Sequence, residues 1–193
     1  MRAAAARTLI LLRHAKSAWP EGVPDHDRPL GPRGRRNAPA AGRWMRLTGY
    51  VPDLVLCSTA IRARETWRLA EAELGVHPPV RFEREAYGAS AAGLLELIRR
   101  LPPAARTVAV VGHDPAVQEV AVALTAEQNG TRSAAPGPAH AAALDRLRDK
   151  FPTAAIAVLE LIEPWSALQP DSGRLVAYVT PRDVERRYAG ETG

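Results

Sequence analysis

An α/β fold, a three-layer sandwich whose mostly parallel central sheet carries helices on both faces, follows from three observations on the sequence. Short, continuous apolar runs recur along the chain, helix-forming stretches with clear stop signals separate them, and polar motifs stand immediately after the apolar runs. Strands buried on both faces read as unbroken apolar runs, and parallel neighbours need a connection long enough to hold a helix. Sites in such sheets gather at the carboxyl ends of the strands, which is where these motifs fall.

The first run, Thr8-Leu9-Ile10-Leu11-Leu12, ends abruptly at Arg13-His14. Asp53 to Cys57, Thr107 to Val111, Ala154 to Leu161 and Leu175 to Val179 share its β-branched, apolar character, with Val80-Arg81-Phe82 as a weaker edge piece. Between them, helix formers run from about Arg33 to Thr48 and stop at Gly49, and a second stretch from Ala60 to Leu74 stops at Gly75. Ser90 can N-cap a helix that reaches Leu101 before Pro102, and Pro115 suits the first turn of a helix ending at Leu124. The segment from Glu127 to Ala139, rich in Gly, Ser, Pro and Ala, reads as a surface loop; the first seven or so residues and the last ten read as flexible, polar ends.

With 193 residues and 46% hydrophobic content, the chain is expected to form one domain over residues 1–193 with a real core. No apolar run approaches the roughly 20 residues that cross a bilayer, and Met1 to Arg7 is too short and too weakly apolar for a signal peptide, so no membrane partner is expected. The lone Cys57 excludes an intramolecular disulfide and any cysteine-rich zinc cluster, which fits a reducing cytoplasm. A net charge of +5 suits anionic partners such as phosphate esters or phosphoproteins, but arginine is spread along the whole chain without an aromatic-interleaved stripe, so no nucleic-acid partner is expected.

Three motifs follow predicted strands: Arg13-His14-Ala15-Lys16-Ser17, Ser58 through Arg62, and Gly112-His113-Asp114-Pro115. Together with Asp27-Arg28-Pro29-Leu30 and Gly34, and in this order and approximate spacing, they resemble the histidine phosphatase superfamily, which also contains the cofactor-dependent phosphoglycerate mutases. The resemblance covers about residues 8 to 125 and is closest to the SixA-like branch, the phosphohistidine phosphatases. It implies a covalent phosphohistidine on His14, released by water in a second step, with Arg13, Arg62 and His113 around the phosphoryl group and no metal or other cofactor.

The chemistry asks for these residue types in its own right. A neutral imidazole is a competent nucleophile near pH 7, and a phosphoryl group in transit spreads negative charge over three oxygens that need fixed donors. The Arg13 and Arg62 guanidiniums supply bidentate forks, and His113 can share the developing charge. Each residue also has a structural explanation: His14 bonding its own loop, Arg62 on a solvated helix face, Gly112-His113-Asp114-Pro115 as a helix-entry turn. Convergence of several motifs on one sheet edge favours the functional reading. Lys16 and Ser17 are close enough to reach the phosphate or the pocket rim, and Arg28 is either substrate-facing or structural. Asp27 could orient His14 or Arg28, and His26 between Asp25 and Asp27 is not a metal site, since three adjacent residues cannot all face one ion.

Cys57 and Arg62 superficially resemble the Cys-x5-Arg loop of protein tyrosine phosphatases, but only four residues intervene and the loop lacks the glycines of a phosphate cradle. Many superfamily members place a glutamate four residues before a glycine as general acid; here Arg84 stands at that distance from Gly88. Glu83 and Glu85 straddle the position and, on an extended chain, would point the same way, while Asp114 is the other carboxylate that could serve. A doubtful acid favours a leaving group that needs little help, and an imidazole departs more readily than an alkoxide. The expected substrate is therefore phosphohistidine on a protein. A small-molecule phosphomonoesterase or mutase on the same scaffold, and a non-catalytic anion- or nucleic-acid-binding module, are the alternatives.

Overall fold

The computed structural model describes residues 6–125 and 138–188. In chain order these form β1 (Arg7–Arg13), α1 (Pro32–Thr48), β2 (Leu54–Ser58), α2 (Ile61–Glu71), β3 (Val80–Glu83), α3 (Ala91–Arg99), β4 (Thr107–Gly112), α4 (Ala116–Leu124), α5 (Pro138–Asp149), β5 (Ile156–Leu161), β6 (Gly173–Val179) and α6 (Pro181–Tyr188). The strands make one sheet in the order β3-β2-β4-β1-β5-β6. Pairings β1–β4, β2–β4 and β2–β3 are parallel, whereas β5 runs antiparallel to both β1 and β6. The sheet is thus mixed, with β5 reversed against the other five strands.

Alternation along β1 divides the interior into two layers. Leu9 and Leu11 join Val108, Val110, Leu94, Ile98, Val117 and Leu124 beneath α3 and α4, and Ile10 and Leu12 join Val55, Val111, Trp44, Met45 and Trp67 beneath α1 and α2. Helices cover both faces, as expected of strands that read as continuous apolar runs. Close approach of α1 to α2 depends on Gly42, where a Cβ would stand 1.8 Å from the Ala70 carbonyl oxygen. Gly34 does the same for the loop after β1: its missing Cβ would sit 2.2 Å from the Lys16 carbonyl oxygen.

Three sequence expectations change. The helix α5 begins at Pro138, inside the stretch read as a loop; the rest of that stretch lies outside the described residues. The polar C-terminal end is helical through Tyr188, because Val184 is buried against the α1 layer. The fifth strand starts at Ile156, two residues late, since Ala154 takes a left-handed conformation (φ 61°) and donates its N–H to the carbonyl oxygens of Arg13 and His14. No helix among the described residues is long and apolar enough to cross a membrane.

Candidate active site

His14 is the first residue after β1, held by its N–H to the Gly112 carbonyl at the end of β4. The following turn is tied to α2, for Ala15 N–H donates to Thr66 Oγ1 and the Thr66 hydroxyl donates to the Arg62 carbonyl. Glu65 accepts the Leu30 N–H at 2.6 Å, so α2 anchors both ends of the 14–31 loop.

His14 is 9% exposed, with Nδ1 2.8 Å from the Ala15 carbonyl oxygen. A carbonyl only accepts, so Nδ1 carries the proton and Nε2 the lone pair. Arg62 Nε–H donates to that Nε2 at 3.3 Å, while Arg62 Nη2–H reaches His113 Nδ1 at 3.4 Å. An arginine cannot accept, so His113 in its neutral form keeps its proton on Nε2, which faces Ser58 Oγ at 2.8 Å. The two imidazoles lie with centroids 5.0 Å apart. Burial, with the neighbouring arginines adding to it, pulls the His14 pKa down to about 3 and that of His113 to about 4; at neutral pH both rings are uncharged.

Arg13 is pinned at the strand end by the Phe151 carbonyl at 2.6 Å and by Asp114 Oδ2 at 3.5 Å, and its Nε is buried without a partner. The convergence expected of Arg13, His14, Arg62 and His113 is therefore present. Several other expectations change. Asp114 neither caps α4 nor points free: it pairs with Arg13. Glu83 pairs with Arg81 at 2.7 Å and Glu85 with Arg100 at 2.6 Å, so each carboxylate is engaged by an arginine and not by a histidine. The expected alternation fails because β3 ends at Glu83 and residues Arg84–Ala86 form a 3₁₀ turn. Arg28, 5% exposed, spends its donors on Ala18 O, Asp25 Oδ1 and Ser17 Oγ, so Arg28 and Ser17 brace the loop together. Lys16 is exposed beside them. Asp27 accepts from His26 instead of orienting His14 or Arg28.

Sequence reasoning missed Asp25 and Tyr87. Asp25 Oδ2 receives Arg62 Nη2–H at 2.9 Å and the Tyr87 hydroxyl at 2.8 Å, and Oδ1 receives Arg28 at 2.7 Å. These donors, the Tyr87 hydroxyl foremost, hold the Asp25 carboxyl at a pKa of about 2. Its signal was the acidic Asp25-His26-Asp27 cluster, in which Asp25 itself figured only as a metal ligand. Ser58, which orients His113, was inside a recognised motif without an assigned role. Cys57 is fully buried, and burial pushes its thiol up to about 12.

The chain is similar to known sequences and to solved structures. The histidine phosphatase superfamily (branch 1) profile matches residues 9–86. An uncharacterised protein of Mycobacterium tuberculosis (strain ATCC 25618 / H37Rv) is 42% identical over 171 residues, covering 89% of this chain and 100% of that protein. A solved structure from Nakamurella multipartitia assigned as phosphohistidine phosphatase SixA is 38% identical with a TM-score of 0.77, covering 92% of this chain and 98% of its own. A second structure with that assignment, from Agrobacterium tumefaciens, is 30% identical with a TM-score of 0.72 and covers 91% and 98%. Motifs, geometry and these likenesses agree: the chain belongs to the histidine phosphatase superfamily, in its SixA-like branch.

Proposed function

We propose that the protein is a phosphatase that works through a covalent phosphohistidine on His14 and whose substrate is phosphohistidine on a protein. The observation that carries this reading is the arrangement of Arg62, whose Nε–H and Nη2–H edge meets the lone pairs of His14 Nε2 and His113 Nδ1. That edge is the side-on fork that binds two phosphoryl oxygens, and it lies directly beside an unprotonated nitrogen.

In the first step the His14 Nε2 lone pair attacks phosphorus, the bond from phosphorus to the leaving atom breaks, and its electron pair departs with the leaving group. In the second, water attacks phosphorus, the bond to His14 breaks, and phosphate leaves with the proton passing to solvent. Arg13, with its unpartnered Nε, and Arg62 hold the equatorial oxygens. His113 presents an acceptor nitrogen toward Arg62, so it donates only after taking a proton; an incoming phosphoryl dianion favours that proton and lifts its pKa from about 4. The positive work is done by side chains, so the reading entails activity that survives EDTA.

Two features support this choice of substrate. Glu83 and Glu85 are each paired with an arginine, so neither is held ready to protonate an alkoxide. Between Gly75 and Arg106 the chain is taken up by β3, a 3₁₀ turn and α3, which leaves little to close over the pocket and suits a side chain still attached to its own domain. The test compares specificity constants for a phosphohistidine-bearing protein or peptide with those for phosphoserine, phosphotyrosine and sugar phosphates. A preference for phosphohistidine is expected; preference for a small alcohol phosphate would favour the phosphomonoesterase reading instead.

A further inference from the structure

Asp25 is a half-exposed carboxylate paired with Arg62, the arginine that also meets the His14 lone pair. His14 is buried, and in an in-line displacement the departing atom lies on the far side of phosphorus from it, toward solvent. Two carboxylates pair with the pocket arginines among the described residues. Asp114 holds Arg13 with one oxygen buried, and its side chain is 27% exposed; Asp25 holds the outer end of Arg62 with a side chain 50% exposed. Arg62 uses its Nη1–H and Nη2–H on the Asp25 carbonyl and carboxylate while its Nε–Nη2 edge faces the histidines, so Asp25 flanks that edge at the more exposed end of Arg62.

We propose that Asp25 is a specificity-determining residue that accepts the free ring N–H of a departing imidazole, and so favours N-phosphoryl over O-phosphoryl substrates. The proposal rests on the phosphohistidine reading above. Its chemistry needs no proton donor. A phosphoimidazole protonated on its distal nitrogen is an imidazolium; when phosphorus passes to His14, the P–N electron pair stays on the proximal nitrogen and a neutral imidazole leaves with its distal proton already in place. A carboxylate beside that N–H favours the reactive, protonated form. The same carboxylate, unprotonated near neutrality because Arg28, Arg62 and Tyr87 all donate to it, cannot hand a proton to an alkoxide and repels the charge that builds there.

The groups that face Asp25 are few and fixed. Arg28 comes from its own loop, Arg62 from α2 and Tyr87 from the turn after β3; His113 lies behind Arg62, and His26 and Asp27 pair with each other alongside. The Tyr87 ring stands edge-on to both His26 and His113, which gives the departing ring an aromatic wall on the same side as the carboxylate.

The experiment is Asp25→Asn, which keeps an oxygen for Arg62 but removes the charge, assayed from pH 5 to 9 on a phosphohistidine peptide and on p-nitrophenyl phosphate. Aryl phosphate is the control because nitrophenolate leaves without a proton, and its turnover reports that the variant is folded. The ratio of the phosphohistidine to the aryl specificity constant should fall on the order of tenfold or more, the worth of a charge-assisted hydrogen bond. The alkaline limb of kcat for phosphohistidine should move to lower pH, since the bound imidazolium loses the carboxylate that kept it protonated. Equal losses on both substrates with an unmoved limb would overturn the proposal and leave Asp25 acting only through Arg62. Wild-type protein that hydrolyses the aryl ester but not the phosphohistidine peptide would overturn the substrate reading, and this assignment with it.

Discussion

Arg62 donates its Nε–H to Nε2 of His14 across 3.3 Å, and because a guanidinium cannot accept, this contact identifies the nitrogen that carries the nucleophilic lone pair. The Ala15 carbonyl on the other ring nitrogen enforces the same tautomer. Long-range ¹H–¹⁵N spectra of the histidine side chains should therefore show His14 protonated at Nδ1 and His113 at Nε2. Neither ring should titrate above about pH 5 in the ligand-free protein, given pKa values near 3 and 4. A His14 ring that titrates near its ordinary value of about 6.5 would remove this electrostatic description.

Those depressed values also set how stability depends on pH. The unfolded chain binds protons on these histidines below about pH 6.5, whereas the folded chain resists them until pH falls toward 4 and 3. Stability contributed this way is fully present above pH 6.5 and is lost on acidification through that window. Asp25 adds a second loss only from about pH 4 toward 2. Urea unfolding of wild type and His14→Asn at pH 7, 5.5 and 4 checks the sign: the variant should lose less stability between pH 7 and 4. Parallel pH curves for the two proteins would contradict it.

Arg62→Lys keeps the charge and loses the fork. One ammonium cannot bridge His14, His113 and Asp25 as Arg62 does, so kcat should fall about a hundredfold, the usual cost of a transition-state donor. Steady-state kinetics on an aryl phosphate measures this, and a lysine variant within about threefold of wild type would show that the planar geometry is dispensable.

Cys57→Ser should remain active. The thiol is fully buried in the layer beneath α1 and α2, its pKa is raised to about 12, and its S–H faces the Ser58 carbonyl, a contact a hydroxyl reproduces. A folded but inactive variant would revive a cysteine nucleophile.

Much of the fold was legible because the central parallel strands β1, β2 and β4 are apolar runs closed by a polar motif, as at Leu12-Arg13-His14. The direction of β5 was not, since a buried run such as Ile156–Leu161 reads the same in either sense. Ala-rich α5 was hidden by the glycines and prolines before it, although Leu144 and Leu147 already lie at helical spacing. At the site, residues next to strand ends could be placed from sequence because the sheet aligns them. Asp25 and Tyr87 could not: their approach to Arg62 depends on how the 18–28 loop and the turn after β3 fold back, which no local pattern encodes. Glu83 and Glu85 misled for the same reason, because the strand periodicity applied to them ends at Glu83.

The most direct measurement is the chemical identity of the phosphorylated enzyme. Wild-type protein is mixed with a fast-leaving phosphoryl donor, quenched in alkali within milliseconds, digested and read by mass spectrometry. One phosphoryl group should appear on His14, stable to base and labile to acid, should form and decay at rates compatible with turnover, and should be absent from His14→Asn. Continued turnover with no label on His14, or a label that accumulates on another side chain, would contradict His14 as the nucleophile.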